Sequence, residues 1–220
     1  MDKHQIIVGN GAAELLYAIC RLPGYTGAFV PAPGFSEYKE ALEASKIPVR
    51  DIFYRPREDD NGKPYFEVPY LALETFAAEL KGQDGRIIVF LGNPNNPDGT
   101  LLDKDHIRTV ASMLKDANSL LVIDESFIDF VGNDPLQENE HSMRSLVNEF
   151  DNIIVVHSFT KFYAVPGLRI GAAFANETLI TQLQQYIPSW SVNTLAQAYT
   201  KAALNDVDYI KRTKQELNEE

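Results

Sequence analysis

HSFTKFYAVPGLRIG, residues 157–171, decides how the whole chain is read. Lys161 stands between small hydroxyl residues and a Pro-Gly turn, and Arg169 follows eight residues later. Ile153, Ile154, Val155 and Val156 precede the stretch, and Ile170, Ala172, Ala173 and Phe174 close it. Flanks of this kind are buried, and a cation among buried residues needs a partner or a task. A desolvated lysine is a neutral amine, nucleophilic toward carbonyls and able to form a Schiff base. The Arg169 guanidinium is a fixed fork for a phosphate.

Working outward, apolar runs of strand length alternate with helical patterns. The strands expected are 27–31, 48–53, 86–91, 119–124, 152–157 and 169–174. The helices expected are 12–21, 35–45, 69–81, 103–117, 141–149, 177–186, 193–204 and 206–218. Several strands are continuously apolar, so both faces of their sheet are covered. The alternation predicts an α/β fold: a three-layer αβα sandwich around a mostly parallel sheet. No strand is expected before the first helix, and residues 55–64 (RPREDDNGKP) read as an exposed loop.

Open α/β sheets hold ligands at the carboxyl ends of their strands, where three more unusual stretches fall. GNGAAELL (9–16) is a Gly-rich turn opening a helix, either a plain cap or an anion site made of backbone N–H groups. It lacks the third glycine of a dinucleotide fingerprint, and no P-loop is present. LGNPNNPDG (91–99) follows a buried strand; it is either a connection or a loop that presents amides. LLVIDESFIDF (120–130) puts Asp124 at a strand end, where a carboxylate caps a turn or faces a cationic group. Glu125 and Asp129 nearby suggest paired acid-base carboxylates or a metal site, but with four scattered histidines and no HExxH no metal is expected.

Composition narrows the field. With 31 acidic and 20 basic residues, a net charge of −11, the 220-residue chain lacks the basic footprint of a nucleic-acid binder or an anionic-membrane binder. Cys20 is the sole cysteine and reads as core packing; the absence of internal disulfides fits a reducing compartment such as the cytoplasm. Asn176-Glu177-Thr178 is formally a glycosylation acceptor but reads as a helix start. A phosphate cup, an amine, a carboxylate, an amide and an arginine together specify one task.

SFTKFYAVPGLRIG matches throughout the lysine signature S-x-[TS]-K-x-x-x-x-P-G-L-R-x-G, and NPNNPDG and VIDESF follow the order of the next two landmarks. The chain therefore resembles the class I/II aminotransferases, fold-type I enzymes that use pyridoxal 5′-phosphate (PLP). The resemblance runs from GNGAAE to about PSWSVN. It implies that Lys161 is the Schiff-base lysine and proton shuttle, and that Asp124 pairs with the pyridinium nitrogen. Asn96 would bond the phenolic oxygen and Phe35 would stack on the ring. Gly11, Ala12, Ala13, Ser158 and Arg169 would form the phosphate cup. Lys161 and Asp124 are the catalytic pair in this reading.

Within the family, threonine-phosphate decarboxylases of cobalamin synthesis and histidinol-phosphate aminotransferases look most similar. Phe127, standing where most transaminases carry a tyrosine, APGFSEY and PSWSVNTLAQ favour the decarboxylase. The substrate implied is a small phosphorylated amino acid or amine, and the assembly a homodimer. The alternatives are a transaminase and, from another class, a non-catalytic PLP-binding fragment or regulatory module. Asp98 departs from the usual threonine and is expected to face solvent. The resemblance assigns residues 1–205 to the cofactor-binding large domain and 206–220 to the start of a linker helix. The family's small C-terminal domain, N-terminal arm and cross-dimer tyrosine have no counterpart here, so the chain reads as one domain of something longer.

Overall fold

Seven strands share one sheet in the computed structural model, which describes residues 1–80, 85–132 and 139–219. The elements follow in chain order as β1 (Ile6–Gly9), α1 (Gly11–Cys20), β2 (Tyr25–Ala32), α2 (Glu37–Ala44) and β3 (Val49–Phe53). Then come β4 (Arg55–Glu58), β5 (Pro64–Glu67), α3 (Tyr70–Glu79), β6 (Arg86–Gly92), α4 (Lys104–Asp116) and β7 (Leu120–Asp124). The rest are β8 (Ile153–Ser158), β9 (Gly171–Phe174), α5 (Glu177–Gln184), α6 (Thr194–Ala203) and α7 (Val207–Glu219).

The sheet order is β1-β9-β8-β7-β6-β2-β3. Strands β3, β2, β6, β7 and β8 are parallel; β9 and β1 run antiparallel to their neighbours. This is the α/β, mostly parallel architecture expected from the apolar runs. Each face is covered. Ile88, Phe90, Leu120, Val122, Ile154 and Val156 pack with α1, α2 and α5, while Val89, Leu91, Leu121, Ile123, Ile153 and Val155 pack with α3 and α4. The two-residue period of a strand sets this division. It also carries Asp124 and Ser158 onto the α1 side of the sheet, as the next even positions after Val122 and Val156.

Topology gathers the loops. Gly9 pairs with Gly171, and Gly171 with Ser158, so the end of β1 and the start of β9 lie beside the end of β8. The carboxyl ends of β2, β6 and β7 open on the same edge of the sheet.

Three expectations are corrected. Strand β1 precedes the first helix; at four residues on a sheet edge, with Val8 exposed, it is too short to show a period. Residues 55–64 are not a plain loop but most of a β4–β5 hairpin. Its turn is closed by the Asp59 carboxylate, which accepts from the backbone of Asn61 and Lys63 at 2.9 and 2.8 Å, and Arg57 pairs with Glu67 at 2.7 Å. Both hairpin strands are nearly all exposed, so no alternation marks them. The helix expected over 141–149 is a 3-10 turn over Arg144–Asn148, closed by i+3 bonds such as Leu146 N–H to Met143 O at 3.0 Å; at its entrance Glu125 accepts from the Met143 N–H and the Ser142 hydroxyl, at 2.5 and 2.7 Å. Residue 81, the last of the helix expected over 69–81, lies outside the described residues.

Local capping follows the sequence. Asn176 is the N-cap of α5 and accepts from Leu179 N–H at 2.8 Å, the helix start expected of it. Cys20 is buried, and burial pushes its thiol up to about 12. At α4, the Asp103 carboxylate accepts from the N–H groups of Asp105 and His106 at 3.0 and 2.9 Å. The His106 backbone bond, then its ring, hold Asp103 below the usual carboxylate range. A depressed folded-state pKa stabilises above the unfolded value and is lost as pH falls through the folded one. Asp103→Ala is expected to cost about 1 kcal/mol, or roughly 2–4 °C of Tm. Thermal melts should show the gap to wild type shrinking as the pH drops below 3.8. Among the described residues no helix is long and apolar enough to cross a membrane.

Candidate active site

Phe35, Tyr38, Pro94, Asn96, Asp124, Ser126, Phe127 and Lys161 line one cleft at the carboxyl edge of the sheet. Four residues singled out from sequence, Phe35, Asn96, Asp124 and Lys161, therefore face one space. Their positions follow from the strands that carry them. Asp124 ends β7, Asn96 sits on the loop leaving β6, Phe35 on the loop between β2 and α2, and Lys161 in the turn after β8.

Asp124 is buried and held by three donors. Tyr38 Oη donates to Oδ2 at 3.0 Å, and Ser126 donates to Oδ1 through its backbone N–H at 2.9 Å and its hydroxyl at 2.6 Å. Burial, and then the neighbouring Asp124 carboxylate, push the Tyr38 phenol well above its ordinary value, which keeps it a donor. Phe90 stacks on Tyr38 at 5.2 Å, and Phe35 meets it edge-on at 5.6 Å. The carboxylate therefore rests on an aromatic floor with its remaining lone pairs toward the cleft.

Lys161 is exposed, although the strands on either side are buried. The expectation of a buried amine is corrected: the turn over residues 160–165, just after β8, lifts the side chain out of the core into the cleft. Its Nζ donates to Thr160 Oγ1 at 3.3 Å and lies 5.8 Å from the Phe127 ring centroid. Thr160 Oγ1 is in turn 2.8 Å from Ser158 Oγ. That short chain of polar atoms runs from the lysine to Ser158, whose strand partner Gly171 lies against Ala12.

The second cluster surrounds the start of α1. Gly11 has φ +83°, and a Cβ there would lie 2.9 Å from Arg169 Cζ. Arg169, also exposed, itself takes a left-handed φ of 56°, a conformation costly for a non-glycine residue. Gly171 is fixed by a close approach, since a Cβ on it would sit 2.7 Å from Ala12 N and 2.8 Å from His157 O. Thus Gly11, Ala12 and Ala13 open the helix, with Arg169 close against Gly11 and Gly171 close against the Ala12 N–H. The Asn10 N–H is taken by Glu14 at 2.6 Å, and Glu14 also accepts from the Ser191 hydroxyl, tying the PSWSVN segment to the start of α1.

Other sequence readings resolve differently. Asp98 does not simply face solvent: its carboxylate accepts from Asn95 Nδ2 and Thr100 N–H, both at 2.8 Å, and closes the loop that presents Asn96. Glu125 and Asp129 do not join Asp124. Glu125 points to the opposite face, 3.5 Å from Arg144, and Asp129 meets His157 Nε2 at 3.0 Å. Burial raises Asp129, but His157, Arg144 and Lys214 outweigh it and hold it below the carboxylate range. Sequence reasoning missed Tyr38, Ser126 and Thr160; the helical i+3 spacing of Tyr38 from Phe35 is the one signal that pointed to the cleft. Larger clefts lie elsewhere, such as the apolar groove of about 440 Å³ beside β3 and α3. Volume does not identify the site; the convergence of amine, carboxylate, amide and helix terminus does.

The family model for class I and II aminotransferases matches residues 1–220. The chain belongs to that family. Among its relatives is an adenosylcobalamin biosynthesis bifunctional protein, CobDQ, of Leptospira interrogans, 35% identical over 97% of this chain and 23% of that protein. A histidinol-phosphate aminotransferase of Bacillus pumilus is 28% identical over 98% of this chain and 54% of its own length. The crystal structure of L-threonine-O-3-phosphate decarboxylase from Porphyromonas gingivalis superposes with a TM-score of 0.74 at 25% identity, covering 98% of this chain and 58% of that one. This aminotransferase-family chain thus spans about half the length of the aminotransferase and the decarboxylase it matches, and less of the bifunctional relative.

Proposed function

We propose that this chain holds PLP and acts on a small phosphorylated amino acid or amine, as a decarboxylase of the threonine-phosphate type. The observation that carries the reading is the meeting of Lys161, Asp124 and Asn96 in one cleft, with Thr160 and Ser158 leading from Lys161 to Gly171, which lies against the start of α1. The residues present suit the cofactor. A glycine pressed against a guanidinium at a helix N-terminus is a cradle for a phosphate. A buried carboxylate with fixed donors suits a ring nitrogen, and Phe35 is an apolar face for the ring.

When bound, PLP supplies an electron sink for the bond broken at the substrate α-carbon. Asp124 would hold a proton on the ring nitrogen, which makes that sink effective. Lys161 Nζ would be the attachment point for the cofactor and would carry the proton at the substrate carbon. Asn96 would donate to the phenolic oxygen. Ser158, Arg169 and the N–H groups of Gly11, Ala12 and Ala13 would anchor the phosphate. The same reading takes residues 1–205 as the cofactor-holding unit and 206–220 as the start of a linker helix, in a cytoplasmic homodimer.

Phe127 favours decarboxylation over the alternative, a transaminase of the histidinol-phosphate type. It lines the cleft with no hydroxyl to offer the phenolic oxygen, where most transaminases carry tyrosine. The test is in two steps. PLP is added, the adduct is reduced with borohydride, and the modified residue is mapped; it should be Lys161. Carbon dioxide release from threonine phosphate is then measured against amino transfer from glutamate to imidazole-acetol phosphate. Release of carbon dioxide supports the decarboxylase, amino transfer the alternative, and neither product a non-catalytic binding module. Removing one donor from Asp124 gives a graded check. Tyr38→Phe is expected to weaken PLP binding about tenfold, the scale of one hydrogen bond to a charged group, with the fold intact by circular dichroism.

A further inference from the structure

The turn that carries Lys161 is fastened from below by two helices that come much later in the chain. Its own N–H groups serve its first two carbonyls: Val165 N–H reaches Thr160 O at 3.1 Å, and Ala164 N–H reaches Lys161 O at 3.0 Å. The next two carbonyls are met from outside. Tyr209 Oη of α7 donates to Phe162 O at 2.7 Å, and Tyr199 Oη of α6 donates to Tyr163 O at 3.2 Å. Phe162 and Tyr163 are buried while Lys161 is exposed, so the turn is pinned on its inner side and free on the cleft side.

The fastening is aromatic as well as polar. Tyr209 stacks on Tyr163 and meets Phe162 edge-on, both at 6.1 Å between ring centroids. Phe162 in turn packs against Phe130 at 5.4 Å. On the same helix as Tyr209, Lys214 donates to the carbonyls of Val131 and Gly132 at 3.3 and 3.2 Å. Helix α7 is therefore fixed at two points that flank Phe162. A buried backbone carbonyl left without a donor is costly, so the turn keeps its shape only while α6 and α7 stay docked.

We propose that Tyr209, assisted by Tyr199, is a positioning residue for Lys161: it sets the reach of the amine into the cleft without touching the ligand. This rests on the reading of Lys161 as the attachment point for PLP. It predicts a split that a merely structural role does not produce. Pyridoxamine 5′-phosphate, which has no aldehyde, uses the cup and Asp124 but not the amine; PLP needs all three.

Tyr209→Phe keeps the ring and removes only the donor. The rate of borohydride-trapped attachment of PLP to Lys161 is expected to fall about tenfold in Tyr209→Phe, the scale of one lost hydrogen bond, and further in the Tyr199→Phe, Tyr209→Phe double variant. The affinity for pyridoxamine 5′-phosphate should stay within about twofold of wild type, since no contact to it is removed. An unchanged attachment rate in the double variant overturns the proposal. So does a parallel loss of pyridoxamine 5′-phosphate affinity, or unfolding of Tyr209→Phe in a thermal melt, either of which makes the phenols props of the domain. Wild type that binds pyridoxamine 5′-phosphate yet forms no Lys161 adduct overturns this inference and leaves the cup standing. Wild type that binds neither removes the functional reading itself, and the inference with it.

Discussion

Lys161→Ala is expected to abolish the borohydride-trapped PLP adduct and, in the proposed decarboxylase, to lower turnover of threonine phosphate by at least about 10⁴-fold, the upper range for a positioned acid-base group, because the same amine would also make the covalent attachment. Among the described residues that line the cleft there is no substitute. Its other lining groups are Phe35, Tyr38, Pro94, Asn96, Asp124, Ser126 and Phe127, none of them an amine. Lys161→Arg separates charge from nucleophilicity, since a guanidinium keeps the cation but cannot attach to an aldehyde. Both variants should retain the wild-type melting temperature, because the side chain is exposed and, among the described residues, its hydrogen bond goes to the neighbouring Thr160. Mass spectrometry after reduction, beside a carbon dioxide assay, decides the matter. A trapped adduct on another lysine in Lys161→Ala, or more than about a hundredth of wild-type turnover, sinks the assignment of this amine as the acid-base group.

The apolar runs made the sheet legible because each buried parallel strand must be apolar on both faces, and the observed strands differ from the expected ones by at most a few residues at their ends. The loops at the carboxyl edge were legible as chemistry because Gly, Pro, Asn and Asp crowd there for reasons that an ordinary turn does not need. What the sequence withheld is mainly of two kinds. Short or exposed elements carry no period: β1 has four residues, and β4 and β5 bury almost nothing. Long-range polar contacts carry no local sign at all. Tyr38 meets Asp124 across 86 positions, Tyr209 meets Phe162 across 47, and Glu125 accepts from residues 142 and 143 from 17 and 18 positions away. The exposure of Lys161 belongs to neither kind. Its flanks forecast burial, but the turn that carries it, closed by the N–H groups of Ala164 and Val165, turns the side chain outward. Asp98 also differs from both kinds: its partners are two and three positions away, and a carboxylate that closes its own loop leaves no mark on the strand pattern.

Asp124 offers the second large effect, and here the choice of replacement separates chemistry from architecture. Asp124→Ala is expected to lower turnover by about 10²–10³-fold, the scale seen when one fixed electrostatic partner is removed from an active site. It should also destabilise the fold by roughly 1–3 kcal/mol, because the buried Tyr38 hydroxyl loses its acceptor in an apolar setting. Asp124→Asn keeps the shape. Its amide oxygen can accept both bonds from Ser126, and its amide nitrogen can donate to Tyr38 Oη with the phenol reversed. Stability should then stay near wild type while turnover falls as far as in the alanine variant, since an amide cannot hold a proton on the ring nitrogen. Combining each variant with Tyr38→Phe closes a double-mutant cycle. In the alanine pair, Tyr38→Phe is expected to recover part of the lost stability by deleting the orphaned hydroxyl, and none of the lost turnover. Denaturant melts and the carbon dioxide assay measure the two quantities separately. An Asp124→Asn protein that turns over at near wild-type rate would show that the carboxylate serves only to hold Tyr38 and Ser126 in place.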